Sequence, residues 1–546
     1  MPFKKSFFTL FLCFLPLHVS FASTPKDISF FEDKPKSVAK DFYIYEYLNS
    51  EFCSREDAWK LLEHASRMNW KLFHAFASKL DDEGIKKASL CILMKTEELL
   101  KDGDRDCIAI GLSVYEATKL DKTLLAKLSK KLAPYKEALS LQILSQENVY
   151  ESMMQGGNDA FFEVFNAVGA KFRREHFDKI ISKEKIEELS KDSRINSTIK
   201  HIVTDIKLQK VQKSLLFLNP KEATLNHLSL FYLGLNALKL EKKQQAFLYF
   251  EEAYKKAYFQ MDKDKVLFWQ YLASDDQKYK KMLQESFDLN IYTILAGKKK
   301  NNIMIAKAYE PHPFFDEKDP FAWIKLEESF KGKSKEELEA LANIYLYGSS
   351  LPHFSFIMEK ASGYKDHYFP LPYQQFLKSD SIHRKALILS IARQESRFIP
   401  SAISTSYALG MMQFMPFLAN DIAKRKGFID FDLEDMFNPE TAYLFADIHL
   451  DYLEKYLHHP LFVAYAYNGG IGFTKRLLLS GLFQKGRYEP YMSMELVGYD
   501  ESRRYGKKVL ANYIIYRRIL QDQVSLTSVF EDLTNPQKTD EFRKKP

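Results

Sequence analysis

Breakers are scarce in this chain. Its 546 residues contain only 20 glycines and 19 prolines, too few turns for an architecture of many short strands. Cysteine is scarcer still, at four residues. Cys13 falls in the N-terminal apolar stretch; the other three, Cys53, Cys91 and Cys107, form neither a CxxC pair nor a zinc-spaced set, and three leave at least one thiol free. Buried, unpaired cysteines in a helical core are the expectation, with a Cys91–Cys107 bridge as the alternative in an oxidising compartment. No strong charge imbalance exists either. A net charge of +7 spread along the chain suits an anionic partner, or simply solubility. No apolar run of membrane length follows the N-terminus.

What is there is helix-forming sequence. Leu, Lys, Glu, Ala, Tyr and Phe fill long stretches. At 46% hydrophobic and 28% charged residues, the composition is that of a globular protein, and the length suggests about three domains. The first residues read differently. Lys4 and Lys5 precede an apolar stretch from Phe7 to Phe21, and Ser20-Phe21-Ala22 offers a cleavage site. That is the pattern of a secretory signal peptide spanning 1–22. The stretch is shorter than the roughly 20 residues a comfortable span needs, and it contains Pro16 and His18. Export beyond the inner membrane, to the periplasm, is expected, with no stable membrane span.

Residues 23–305 read as helix after helix. Leu228, Phe231, Tyr232 and Leu235 form one stripe. After the polar turn Glu241-Lys242-Lys243, Ala246, Phe250, Ala253 and Tyr254 form a second. The pair resembles a tetratricopeptide-type hairpin, and Ala58 to Leu80 looks like a degenerate one, so an irregular α-solenoid is expected. Pro311, Pro313 and Pro320, then Pro370 and Pro372, mark boundaries. They set off a linker helical domain at 306–368 from a C-terminal domain at 369–525. A polar tail, 526–546, is expected to fray.

The chemistry concentrates between Arg384 and Phe398. Ile388 and Ile391 share a helical stripe with Glu395, so that carboxylate is expected to be partly buried and its pKa raised, as a general acid near neutral pH requires. Taken alone, a structural Glu paired with Arg393 would be the more ordinary reading. Four blocks outweigh it: IARQESRF (391–398), STSYALGMMQFMP (404–416), AYAYNGG (464–470) and ELVGYDESRRYGKKVLANY (495–513). In this order and spacing they resemble the catalytic domain of the soluble lytic murein transglycosylases, a goose-lysozyme-like helical fold, over about residues 370–520.

The resemblance implies an all-α protein: an N-terminal superhelix followed by a lysozyme-like catalytic domain. It implies that Glu395 is the single acid/base and that the Tyr467 hydroxyl lies near it, able to hydrogen-bond the carboxylate. Ser404, Gln413, Met415 and Asn468 would line the glycan groove, Glu495 would be a second groove acid, and Tyr505 the aromatic of the last block. Met411, Met412 and Tyr465 read as core. No cofactor or metal is implied, and His458-His459 form no ligand set; they read as a solvated helix end. The implied substrate is the glycan strand of peptidoglycan, cleaved between MurNAc and GlcNAc without water to leave 1,6-anhydroMurNAc ends. Cell-wall synthesis or remodelling proteins are the implied partners of the superhelix, and nucleic acid is not one. The alternatives are a hydrolytic muramidase, drawing a second acid from Asp430, Asp432 or Glu434, and an inactive periplasmic glycan-binding scaffold. Two departures from the family pattern flank the groove: Tyr407 where glycine is usual, and Gly469-Gly470-Ile471 where Ala-Gly-Pro is usual.

Overall fold

A computed structural model describes residues 26–298, 303–522 and 525–544. The stretch read as a signal peptide lies outside them. The described residues form 32 α-helices, a few 3-10 turns and two strands of two residues each, so the all-α expectation holds. No helix among them is long and apolar enough to cross a membrane.

The clearest predicted hairpin is present as His227–Lys239 and Lys243–Lys256. The Asn226 side chain caps the first helix by accepting from the Ser229 N–H at 2.8 Å, satisfying a donor that would otherwise be orphaned. The two helices touch because Gly234 lies under the Phe250 ring; a Cβ there would come within 2.3 Å of the ring. The first helix buries more than its stripe: residues 229–238 are buried on every side. Its remaining face packs toward the C-terminal domain, where the Arg503 guanidinium sits over Tyr232 at 5.4 Å.

Cys91 and Cys107 are bridged, joining the helices Glu83–Leu93 and Arg105–Gly111, and Cys53 is free and buried, the only free thiol among the described residues. This corrects the expectation of unpaired cysteines. The two helices pack side by side, which brings together residues 16 apart in sequence.

The linker helices gather their own small core, Trp323, Phe330, Phe354, Ile357 and Tyr368, which also takes in Ile399 of the next domain. The strand pair joins the two ends of this unit: Ile303 and Met304 run parallel to His367 and Tyr368. The C-terminal domain is built on the helix Asp500–Ile519, which packs against both Ile382–Ser396 and Pro460–Gly469. Gly506 permits the second crossing, since a Cβ there would meet the Tyr465 ring at 2.3 Å.

The polar tail does not fray. Residues 526–539 turn into short helices that bury Phe530 and Leu533. Asp540, fully buried, pairs with Arg543 at 2.7 Å, and the His458 N–H donates to the Thr539 carbonyl at 2.8 Å. Two apolar anchors within a polar composition were enough to dock it.

The superhelix touches the C-terminal domain at several places. Lys200 pairs with Asp500 at 2.6 Å. At the beginning of the superhelix, Tyr407 is fully buried, with ring centroids 5.9 Å from Phe42 and 5.3 Å from Tyr45 of the helix Val38–Asn49. Its φ is 64°, a left-handed backbone costing a side-chained residue about 1–2 kcal/mol. Burial of a large apolar ring is worth about 1.5–3 kcal/mol, the same order as the strain it offsets. A glycine would take this backbone freely but could not dock.

A closed loop of this length predicts that replacing Cys91 and Cys107 by serine destabilises the segment Glu83–Gly111 by about 3 kcal/mol. Faster amide exchange and easier proteolytic cutting confined to that segment would show it. Unchanged protection would refute it.

Candidate active site

The helix Ile382–Ser396 begins at Ser381, whose side chain caps it, and ends in an abrupt reversal. Arg397 and Phe398 both take positive φ, 53° and 66°. The Phe398 N–H returns to the Ala392 carbonyl and the Arg397 N–H to the Arg393 carbonyl. Phe398 is buried, and this holds the turn. Glu395 therefore stands in the last turn of a core helix, where the negative end of the helix dipole disfavours a carboxylate.

Its surroundings push in the same direction. Burial is the main cause, and the Glu501 carboxylate adds to it; together they push the Glu395 pKa up to about 8. Opposing them, the Tyr505 hydroxyl donates to Oε1 at 2.7 Å. The described residues place no cation in ion-pair contact with Glu395. Arg393, a neighbour on the same helix, is drawn away: it pairs at 2.6 Å with Glu359 of the linker unit, and its guanidinium stacks 4.0 Å over Phe369. Arg397 pairs with the other oxygen of Glu359 at 2.5 Å. The structural pairing of Glu395 with Arg393 is thus not formed, and the raised pKa favours its protonated form.

Tyr467 lies beside this carboxylate, whose charge helps raise the tyrosine pKa after burial has done most of it. Its hydroxyl, however, donates to the Met412 carbonyl at 2.9 Å, not to Glu395. The partner expected of Tyr467 is Tyr505. The long helix Asp500–Ile519 crosses the acid helix and delivers Tyr505 to the carboxylate, while Tyr467 is held against the backbone of the 410–413 turn.

The second acid is also corrected. Glu495 is 3% exposed and accepts from Lys507 at 2.6 Å and from the Tyr292 hydroxyl of the superhelix at 2.6 Å. Burial drives the Lys507 pKa down to about 8, partly offset by Glu495; the Lys507 charge in turn keeps Glu495 below its ordinary value. This is an interdomain tie, not a groove residue. The helix carrying Tyr505 begins only at Asp500, so Glu495 belongs to a separate short turn. The exposed acid near Glu395 is Glu501, which sequence reasoning missed. It stands one helical turn before Tyr505, a spacing that could have found it. It accepts from Asn468 Nδ2 at 2.8 Å and from the Tyr499 hydroxyl at 3.0 Å, and Ser502 donates to Asn468 Oδ1 at 2.6 Å. Asn468 is thereby fixed between Glu501 and Ser502.

The remaining expected groove residues form a loop rather than a helix. Ser404 Oγ accepts from the Ala408 N–H at 3.0 Å. Gln413, at φ 52°, donates through its amide to the Ala402 and Gly410 carbonyls at 3.1 and 2.8 Å. Met415 is the half-buried residue preceding the helix Pro416–Lys426. Met411, Met412 and Tyr465 are core. Of the candidates for a hydrolytic second acid, Glu434 pairs with Lys26 at 3.1 Å and Asp432 caps its own turn, while Asp430 is exposed. His458 pairs with Glu541, and His459, buried rather than solvated, caps the helix Pro460–Gly469 and bonds the Val529 carbonyl.

Fold and site together define a lysozyme-like helical domain, with one half-buried glutamate of raised pKa, attached to a helical superhelix. Residues 373–482 match the family model described as the transglycosylase SLT domain. Among curated relatives, the soluble lytic murein transglycosylase of Escherichia coli (strain K12) is 29% identical over 209 residues, 37% of this chain and 32% of that protein. The membrane-bound lytic murein transglycosylase C of Pectobacterium atrosepticum is 32% identical over 154 residues, 24% of this chain and 43% of that one. The matched region spans about a third of the length of the Escherichia coli relative. Among solved structures, an inactive mutant of the lytic transglycosylase Slt from Pseudomonas aeruginosa shares the fold, with a TM-score of 0.51 and 14% identity over 90% of this chain and 89% of that one.

The buried pair yields a test. Lys507→Met strands the Glu495 carboxylate in the interior, so stability should drop by about 3–5 kcal/mol, read as a lower denaturation midpoint. If the variant unfolds like the parent protein, the structural role of this pair is wrong.

Proposed function

We propose that this protein cleaves the β-1,4 bond between MurNAc and GlcNAc in peptidoglycan without water, and that Glu395 serves as both acid and base. The observation that carries the reading is Glu395 itself: desolvated, unpaired with any cation, oriented by Tyr505, and set in an SLT domain. Most glycosidases divide the work between two carboxylates. A single one suffices where the substrate supplies its own nucleophile.

Protonated Glu395 donates to the glycosidic oxygen, and the bond from MurNAc C1 to that oxygen breaks, releasing the GlcNAc 4-hydroxyl. The MurNAc N-acetyl group stabilises C1. Glu395, now a carboxylate, accepts the proton of the muramyl C6 hydroxyl as that oxygen closes onto C1. The proton count returns to its start and the product is a 1,6-anhydro ring. Intramolecular attack benefits from high effective molarity. Tyr505, hydrogen-bonded throughout, favours the ionised form that exists after the first transfer. No cofactor takes part. The setting is the periplasm, reached through a cleaved signal peptide, and the role is remodelling and turnover of the wall. The superhelix offers the surface for other wall proteins.

Mass spectrometry of soluble products from purified peptidoglycan, comparing residues 23–546 with the Glu395→Gln variant, tests the reading. Products lighter by one water than hydrolytic ones are expected, with a loss of about 10²–10⁴-fold in the variant. Full reducing ends would mean a hydrolase. Binding without turnover by either protein would mean a scaffold.

A second test is pH. Glu395 must carry a proton to begin, so kcat/KM should fall as pH rises through about 8. The Tyr505 bond holds that pKa down, so Tyr505→Phe should move the alkaline limb to higher pH while lowering kcat about tenfold. An alkaline limb unmoved by Tyr505→Phe would remove Glu395 from the acid role.

A further inference from the structure

Between Ala402 and Gln413 the chain folds back on itself twice. In the first turn, the Ser404 N–H donates to the Ala408 carbonyl, the Ala408 N–H to Ser404 Oγ, and the Tyr407 N–H to the Ser404 carbonyl, at 2.8–3.0 Å. In the second, Leu409 and Phe414 exchange backbone hydrogen bonds at 2.8 and 3.0 Å. The Gly410 N–H donates to the Ala402 carbonyl at 2.9 Å, and the Gln413 amide closes onto the Ala402 and Gly410 carbonyls. There is little room to move: a Cβ on Gly410 would lie 2.0 Å from the Met436 carbonyl oxygen.

Each turn is held from a different side. The superhelix holds the first. Asn69 Nδ2 donates to the Thr405 carbonyl and Lys71 Nζ to the Ser406 carbonyl, both at 3.0 Å. The Tyr407 ring lies between Phe42 and Tyr45, with Lys71 Nζ 5.8 Å from its centroid. The active site holds the second. Ser396, which follows Glu395 in the chain, donates through Oγ to the Met411 carbonyl at 2.9 Å, and the Tyr467 hydroxyl donates to the Met412 carbonyl at 2.9 Å. An unbroken run of packed rings and backbone hydrogen bonds therefore joins the first helices of the superhelix to the end of the acid helix. Glycine would satisfy the left-handed backbone at 407 without cost. A tyrosine held there against strain, with its ring buried in another domain, does something that glycine could not.

We propose that Tyr407 is a positioning residue, through which the first helices of the superhelix hold the 402–413 turns against Ser396 and Tyr467 and so set the aim of Glu395 toward the glycosidic oxygen. The proposal rests on the transglycosylase reading above. It makes the superhelix a part of the site's geometry. The residue acts through the backbone and touches no reacting atom.

The test uses the full-length protein and four variants: Tyr407→Gly, Tyr407→Phe, Tyr45→Ala and the Tyr45→Ala/Tyr407→Gly double. Turnover is measured on soluble glycan strands, amide exchange over 402–414, and thermal unfolding on each protein. Tyr407→Gly relieves the left-handed strain but empties the space the ring fills, so it should remain folded and melt below the parent protein, and turnover is compared well below both transitions. Its kcat should fall about tenfold with KM within about twofold, because misaimed chemistry rather than lost affinity is the defect. Exchange over 402–414 should quicken by about the same factor. Tyr407→Phe should restore both. Tyr45→Ala, which touches only the superhelix side, should reproduce part of the loss, and the double variant should be no worse than Tyr407→Gly, as expected of two residues acting as a unit. Parental kcat and parental exchange in Tyr407→Gly would overturn the proposal, as would an additive double variant. Should the parent protein release no product at all, it is the transglycosylase reading that fails, and the exchange measurements still decide whether Tyr407 couples the domains.

Discussion

A carboxylate taken out of water with no cation beside it is the condition around which this structure is arranged. Glu395 ends a core helix, where both burial and the helix dipole favour its neutral form, and the single hydrogen bond from Tyr505 orients it without neutralising it. The nearest helical guanidinium would have cancelled this. It does not, because Glu359 of the linker unit holds both Arg393 and Arg397. The linker domain thus matters to the acid through what it removes from the acid's surroundings.

The domains are joined by contacts of different kinds. Glu495, Lys507 and Tyr292 form a buried polar tie whose parts satisfy one another. Such a pair adds little net stability over an apolar equivalent but punishes any separation of its partners. Tyr407 gives an apolar tie that offsets backbone strain. Both ties join the superhelix to the domain that carries Glu395, and both lie close in sequence to residues that build the site: Tyr407 within the 402–413 turns, Lys507 two residues after Tyr505.

Several site residues expected to face the glycan are occupied with structure. Ser404 and Gln413 fasten a loop, Tyr467 buttresses it, and Glu495 is internal. Glu501, one turn before Tyr505, faces solvent near the acid in place of Glu495. A motif preserves residue types at spacings, but it does not record where a helix begins. Here the helix starts at Asp500, and that places Glu501 on Tyr505's side and leaves Glu495 outside. The Cys91–Cys107 bridge and the docking of the 526–544 segment were hidden for a similar reason: each depends on which elements come to lie side by side.

Local pattern by itself determined that the described residues are overwhelmingly helical, that Leu228–Ala257 is a helical hairpin, and that Glu395 sits on an apolar stripe. These follow from periodicity and backbone restriction, which act over a few residues. Only the tertiary structure decided which tyrosine serves the acid, which acid lies nearby, where Arg393 and Arg397 spend their charge, and why a tyrosine occupies the left-handed position at 407. Those depend on partners distant along the chain, from Glu359, 34 residues before Arg393, to Phe42 of the first long helix against Tyr407, and no short-range rule determines which of many compatible partners a folded chain brings into contact.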